Sequence, residues 1–211
     1  MKPLLRTTIL AVTTAFLAGP AFAPAHAQMG EFQSCLQTIK ADATRQGVPA
    51  AIADRAFQGL TSDQKIVELD SKQPEFSLTY SRYIGNAVTA DRIVKGQQRM
   101  AQHRSLLNAL QGEYGVPPQY IMAFWGVETN YGSFMGDFQV VRSVATLACM
   151  TKRQAFFSNE TVQALRILAM NHMTREQMRG SWAGAMGNMQ FMPSTFMKYG
   201  VDRTGDGKVD L

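Results

Sequence analysis

The run from Tyr114 to Gly132, YGVPPQYIMAFWGVETNYG, leaves the chain little choice but a short apolar helix with one acid on it. Proline suits a first helical turn, where its missing N–H costs nothing, so Pro117 marks a start. Gly132 marks the end. On a helix between them Glu128 shares a face with Ile121, Phe124 and Trp125, at i−7, i−4 and i−3. Burial among such neighbours disfavours the charged form of a carboxyl group. A position in the last turn also sets an anion against the helix dipole. Both effects favour a held proton, which is what a general acid needs. The competing reading is a solvated glutamate at a helix end, and this segment alone leaves both open.

A second segment, Gly180 to Ser194, reads GSWAGAMGNMQFMPS. Its clustered glycines and alanines permit close approach of another backbone or of a ligand. Pro193 opens a short helix that Gly200 closes. Ser181 and Gln190 supply neutral hydrogen-bonding groups beside Trp182 and Phe191. Hydroxyls, amides and aromatic faces together suit a sugar. A tight packing contact explains the small residues equally well.

The first residues read as an export signal. Lys2 and Arg6 precede the apolar stretch from Ile9 to Gly19, and Ala25-His26-Ala27 offers a small-x-small cleavage site. The mature chain is expected to begin at Gln28, with residues 1–27 removed and the protein released to the periplasm. The apolar stretch is too short for an ordinary membrane-spanning helix. Loss of two positive charges takes the formal net charge from +5 to +3, too mild a balance to indicate a nucleic-acid partner. No partner chain is expected, and the protein is read as a monomer. Cys35 and Cys149 are the two cysteines. In an oxidising compartment they bridge or remain buried thiols.

The remaining pattern is mainly α. Leu36, Ile39 and Ala43 recur at helical spacing, as do Ile52, Ala56 and Phe57. A single long helix is expected from Thr89 to Gln111, with Ile93, Met100, Leu107 and Leu110 on one stripe. Ser158 is expected to cap a helix carrying Val162, Leu165 and Leu168 inward, and Thr174-Arg-Glu-Gln177 has the form of a capping box. Residues 28–88 are expected to form an N-terminal helical satellite, with the catalytic core at 89–211.

His103 and His172 are the histidines left after the leader, and no H-E-x-x-H or G-x-S-x-G run occurs. Zinc hydrolysis and serine-triad chemistry are therefore poor candidates. Near the end, Asp202, Thr204, Asp206, Lys208 (through its carbonyl) and Asp210 fall at positions 1, 3, 5, 7 and 9 of a calcium loop, with Gly207 at position 6. Thr204 departs from the usual Asp or Asn, and position 12 would be residue 213. The chain is accordingly expected to be the front part of a longer protein. An ordinary Asp/Gly turn is the alternative.

The two central segments, spaced as "YGVP…GVETNYG" and "GSWAGAMG..QFMPS", resemble lytic murein transglycosylase B enzymes. QPEF at Gln73–Phe76, RIVKG at Arg92–Gly96, SVATLA at Ser143–Ala148 and VDRTGDG at Val201–Gly207 extend the resemblance from about Glu31 to Leu211. It implies a lysozyme-like helical domain that cuts the β-1,4 bond between N-acetylmuramic acid and N-acetylglucosamine in peptidoglycan. It also implies that no cofactor is needed and that the acidic loop is EF-hand-like, with structural calcium. Glu128 is implied as the acid. Ser181 and Gln190 are implied to bind substrate, Tyr83 and Tyr131 to line or stack on it, and Arg153 to meet the muramoyl carboxylates. Lys152 stands where the family carries a second arginine, and Asn188-Met189 departs from the commoner residues before Gln190. A hydrolytic muramidase and a non-catalytic wall-binding protein are the rival readings.

Overall fold

The structure is a computed structural model that describes residues 25–72 and 78–210. The QPEF run and the export signal up to residue 24 lie outside the described residues. Ten helices and one two-residue strand pair are described: α1 (Ala25–Arg45), α2 (Ala50–Phe57), α3 (Gln64–Ser71), α4 (Tyr80–Ala87), α5 (Ala90–Gln102), α6 (Arg104–Tyr114), α7 (Pro118–Thr129), β1 (Phe138–Gln139), α8 (Val140–Met150), α9 (Gln154–Ala169), β2 (Arg179–Gly180) and α10 (Pro193–Tyr199).

Burial divides the helices unequally. Phe32, Leu36, Ile39 and Ala43 of α1 pack with Ala53 and Ala56 of α2 and Ile66 of α3. The same core takes in Val140, Val144 and Leu147 of α8, Phe157, Leu165 and Ile167 of α9, and Phe196 of α10. The 3.6-residue spacing read for α1 and α2 is thus the spacing of their buried faces. A second, smaller cluster joins Leu107 of α6, Met122 of α7 and Tyr131, with Met100, Ile121 and Trp125 against it. No residue of α4 is buried.

Local chemistry sets the helix ends. Asp63 caps α3 by accepting from Lys65 N at 3.0 Å, and Thr89 caps α5 by accepting from Arg92 N at 3.2 Å. Gly115 ends α6 in the left-handed region at φ 70°. Pro117 is the residue before α7, and Pro118 opens it.

Three expectations about elements are corrected. The helix expected over Thr89–Gln111 is two, α5 and α6, interrupted at His103 (φ −103°, ψ 17°). Its stripe does not face one core: Leu107 is buried and Ile93 is half exposed. The His103 ring meets Trp125 of α7 edge to face at 5.6 Å between centroids. Ser158 caps nothing, because α9 already begins at Gln154 and the buried Phe157 lies within it. The Thr174–Gln177 box does form, with Gln177 Oε1 accepting from Thr174 N at 2.8 Å and Thr174 Oγ1 accepting from Gln177 N at 3.3 Å. No helix follows it. Met178 is fully buried, its carbonyl accepts from Val140 N at 2.9 Å, and the chain passes directly into β2.

Cys35 of α1 and Cys149 of α8 form a disulfide across a separation of 114 residues, which resolves the choice between bridge and thiols. A cross-link over so long a loop removes entropy from the unfolded chain worth about 5 kcal/mol in the chain-entropy treatment. Replacing both cysteines by alanine is expected to lower unfolding stability by about 2–5 kcal/mol, read from urea denaturation. A variant as stable as the parent would show that the bridge does not form.

Candidate active site

Glu128 occupies the last turn of α7 and is exposed. The apolar enclosure expected around it is not supplied by the described residues. Phe124 is 64% exposed, and Trp125 and Ile121 are only partly buried. The face of α7 that is buried carries Met122, Gly126 and Thr129 instead.

Beyond Glu128 the backbone reverses sharply. Asn130, Tyr131 and Gly132 take φ values of 49°, 61° and 77°. Left-handed backbone is costly for a tyrosine, and its burial offsets that cost. Tyr131 turns back beneath α7, is 8% exposed, and donates its hydroxyl to Arg92 O at 3.0 Å. Gly126 leaves the room: a Cβ there would lie 2.6 Å from the Tyr131 hydroxyl, and one on Gly96 would lie closer still. Tyr131 therefore acts as a peg between α5 and α7.

The Gly180–Ser194 segment folds as a small hairpin against β1. Phe138 pairs with Gly180 and Gln139 with Arg179 in antiparallel register. Isolated bridges continue the ladder from Gly180 to Met186 and from Met186 to Phe191. The small residues serve backbone approach here. A Cβ on Gly184 would strike Val144 Cγ1, and one on Gly180 or Gly136 would strike a facing carbonyl. Ser181 Oγ accepts from Ala185 N at 3.1 Å, which leaves its own proton for another acceptor. Gln190, at φ 50°, donates Nε2 to Met135 O and Gly187 O, both at 3.1 Å. Those two bonds fix the amide and leave Oε1 as its acceptor end.

Helix α7 and this hairpin meet at Asn188. Trp125 Nε1 donates to Asn188 Oδ1 at 2.8 Å, and Thr129 Oγ1 donates to Asn188 O at 2.9 Å. Thr129 Oγ1 also accepts from Gly132 N at 3.0 Å. The contacts bring the last turn of α7, which carries Glu128, against the turn that holds Asn188 and Gln190.

Tyr83 is on α4 and 45% exposed. Arg153 pairs with Asp70 of α3 and stacks its guanidinium on Phe157 at 4.8 Å, so its charge is already partnered. Trp182 packs against the main core. In the loop after α10, Asp202 accepts from Gly205 N and Gly207 N, both at 2.7 Å. The bond from Gly207 leads the effects that hold its carboxyl below the usual carboxylate range. Lys208 N donates to Asp206 Oδ1 at 2.9 Å, while Thr204 and Asp210 are exposed. Among the described residues no three Asp, Glu, His or Cys gather to hold a metal ion. Arg203 ties this loop to Glu113 of α6 at 2.8 Å.

One buried acid went unread in the sequence. Glu160 of α9 is 1% exposed and accepts from Ser194 N at 2.9 Å, at the start of α10. Its place on the inward stripe of α9, beside Phe157 and Ala164, was the available signal. A cleft of about 260 Å³ between α5 and α7, lined among others by Val88, Ile93, Met100, Met122 and Val127, is apolar and does not include Glu128 in its walls.

The transglycosylase SLT domain family matches residues 31–211. The chain belongs to this family. It is 35% identical over 131 residues to membrane-bound lytic murein transglycosylase B of Escherichia coli K12, an alignment covering 62% of this chain and 36% of that protein. SltB3 of Pseudomonas aeruginosa, solved in complex with NAG-NAM-pentapeptide, superposes with a TM-score of 0.79 at 41% identity over 84% of this chain and 47% of that one. The E. coli transglycosylase Slt35, solved in complex with calcium, superposes at 0.73 with 27% identity over 90% and 63%. The chain thus spans about half or less of the lengths of the first two, and the fold is the lysozyme-like helical fold of the SLT transglycosylases.

Tyr131→Phe is expected to lower stability by about 1 kcal/mol through loss of the bond to Arg92 O. Gly126→Ala is expected to cost about 1–3 kcal/mol by overpacking. Thermal unfolding of both variants checks the peg, and unchanged melting in either would contradict it.

Proposed function

We propose that this chain is a peptidoglycan lytic transglycosylase that cleaves the β-1,4 bond from N-acetylmuramic acid to N-acetylglucosamine without water. The observation that carries the reading is the family match over residues 31–211. SltB3 in complex with NAG-NAM-pentapeptide gives the substrate class.

Glu128, as its acid form, donates a proton to the glycosidic oxygen while the bond from muramoyl C1 to that oxygen breaks. The N-acetylglucosamine side leaves as an alcohol. The muramoyl 6-hydroxyl then attacks C1, and its proton passes to the Glu128 carboxylate. A 1,6-anhydro ring forms and Glu128 ends protonated, ready for another cycle. One carboxyl group serves as acid and then base, so no second carboxylate nucleophile is needed, unlike the two-carboxylate glycosidase scheme. The exposure of Glu128 leaves the substrate to supply the dry surroundings in which such a proton transfer is effective. Ser181, through its free proton, and Gln190, through Oε1, hydrogen-bond the sugar or its N-acetyl group. Tyr83 borders the glycan on α4. Arg153 reaches the muramoyl carboxylates only by giving up Asp70.

The signal-like first residues support export to the periplasm, where this polymer lies, and no described helix is long and apolar enough to cross a membrane. The loop 202–210 carries hard oxygen donors in calcium-loop order, and each Asp202 oxygen accepts one backbone N–H. The described acids do not converge, so the loop is read as an Asp/Gly turn and no step of the reaction passes through a calcium ion. Calcium at about 1 mM, the weak end for extracellular calcium modules, is expected to leave the melting temperature unchanged. A clear rise would overturn this assignment.

Glu128→Gln is expected to cut product release by about 10²–10⁴-fold with the fold intact, the usual contribution of a positioned acid–base group. The measurement is mass spectrometry of soluble products from purified peptidoglycan. Anhydromuropeptides from the parent and not from the variant support the reading. Reducing-end products would indicate a muramidase, and bound polymer with no product would indicate a wall-binding protein.

A further inference from the structure

We propose that Asn188 is a positioning residue for Glu128: its side chain and its carbonyl grip α7 on both sides of the acid and set where the carboxyl group stands relative to Ser181 and Gln190. The inference rests on the reading of Glu128 as the proton donor.

Glu128 makes little of its own placement, being exposed on a helix whose buried face points elsewhere. The helix also ends one residue later in a left-handed reversal. The position of that last turn therefore depends on what holds it from outside. Asn188 Oδ1 accepts from the indole of Trp125, three residues before Glu128, and Asn188 O accepts from the hydroxyl of Thr129, the next residue after it. Thr129 is 2% exposed, so its bond is shielded from competing water. On the other side of the grip, Asn188 follows Gly187 (φ 72°) and precedes Gln190 (φ 50°) by two residues in the same tight turn. Gly132 completes the fit, because a Cβ there would lie 2.8 Å from Asn188 Oδ1. One residue thus fixes the distance between the acid and the amide that would meet the sugar. A shift of the acid by a fraction of the bond being broken lowers the chemical step and leaves the binding of the polymer largely alone.

The test compares the full chain with Asn188→Leu, Asn188→Asp, Trp125→Phe and Glu128→Gln, measuring kcat and KM for release of anhydromuropeptides, with melting temperature alongside. Asn188→Leu removes the acceptor at similar size and is expected to lower kcat by about 10–100-fold, with KM nearly unchanged. Asn188→Asp keeps an acceptor oxygen and is expected to recover kcat to within about 3-fold of the parent at its own pH optimum. A merely structural asparagine would show neither the split nor the rescue. An Asn188→Leu variant with parental kcat, while Glu128→Gln is inactive, overturns the inference and leaves the acid in place. If Asn188→Leu does not fold, Trp125→Phe removes the donor from the other side, and parental kcat there overturns the inference as well. Activity retained by Glu128→Gln, or a parent that releases no anhydro product, removes the catalytic reading itself and the inference with it.

Discussion

Two hydrogen bonds to Asn188 hold together what burial alone keeps apart. The main core runs through α1–α3 and α8–α10, while α7 shares only a small cluster with α5 and α6. The Trp125 and Thr129 bonds carry the last turn of α7 onto a hairpin whose far strands are anchored in the main core through Met178 and Met186. Removing either partner would leave a polar group half sealed from water, which costs more than the bond itself contributes. The acid-bearing helix is therefore placed by directional chemistry as well as by the small cluster behind it.

The left-handed reversal at residues 130–132 serves the same end. It sends Tyr131 under its own helix, where Gly96 and Gly126 make space for the ring. That peg joins α5 to α7 through Arg92 O. Without it, the small cluster of Leu107 and Met122 would have few ways to fix the rotation of α7 about its axis. Exposed apolar side chains remain on this side of the molecule, among them Phe124, Val127 and Ile93.

The sequence was most readable where periodicity and punctuation agree. The buried faces of α1 and α2 and the proline starts of α7 and α10 follow from spacing and proline chemistry, while α7 ends at Thr129 with Asn130, not Gly132, as its left-handed cap. Reading failed where tertiary contacts override local preference. The apolar stripe from Ile93 to Leu110 gives no sign of the break at His103, since either side of the break is good helix. The Thr174–Gln177 box has the right bonds and the wrong sequel, because Met178 is claimed by the core. At the site, Glu128, Ser181 and Gln190 were legible as residue types in suggestive settings. The exposure of Glu128 and the burial of Tyr131 were not, because a helical wheel cannot say which of two apolar faces finds a partner.

The bond between Cys35 and Cys149 also sets an order of events. Synthesis delivers α1 first, and at about 5–20 residues per second its covalent partner on α8 follows on the order of ten seconds later. Through that interval the apolar face of α1 has only α2 and α3 to cover it, since the rest of its core neighbours lie on α8 and α9. Closing so distant a pairing makes folding slow. The two cysteines of this sequence, however, offer each other a single pairing. Within these residues oxidative folding has no shuffled isomers to escape, and its hazard is a mixed bond to another molecule while Cys35 waits.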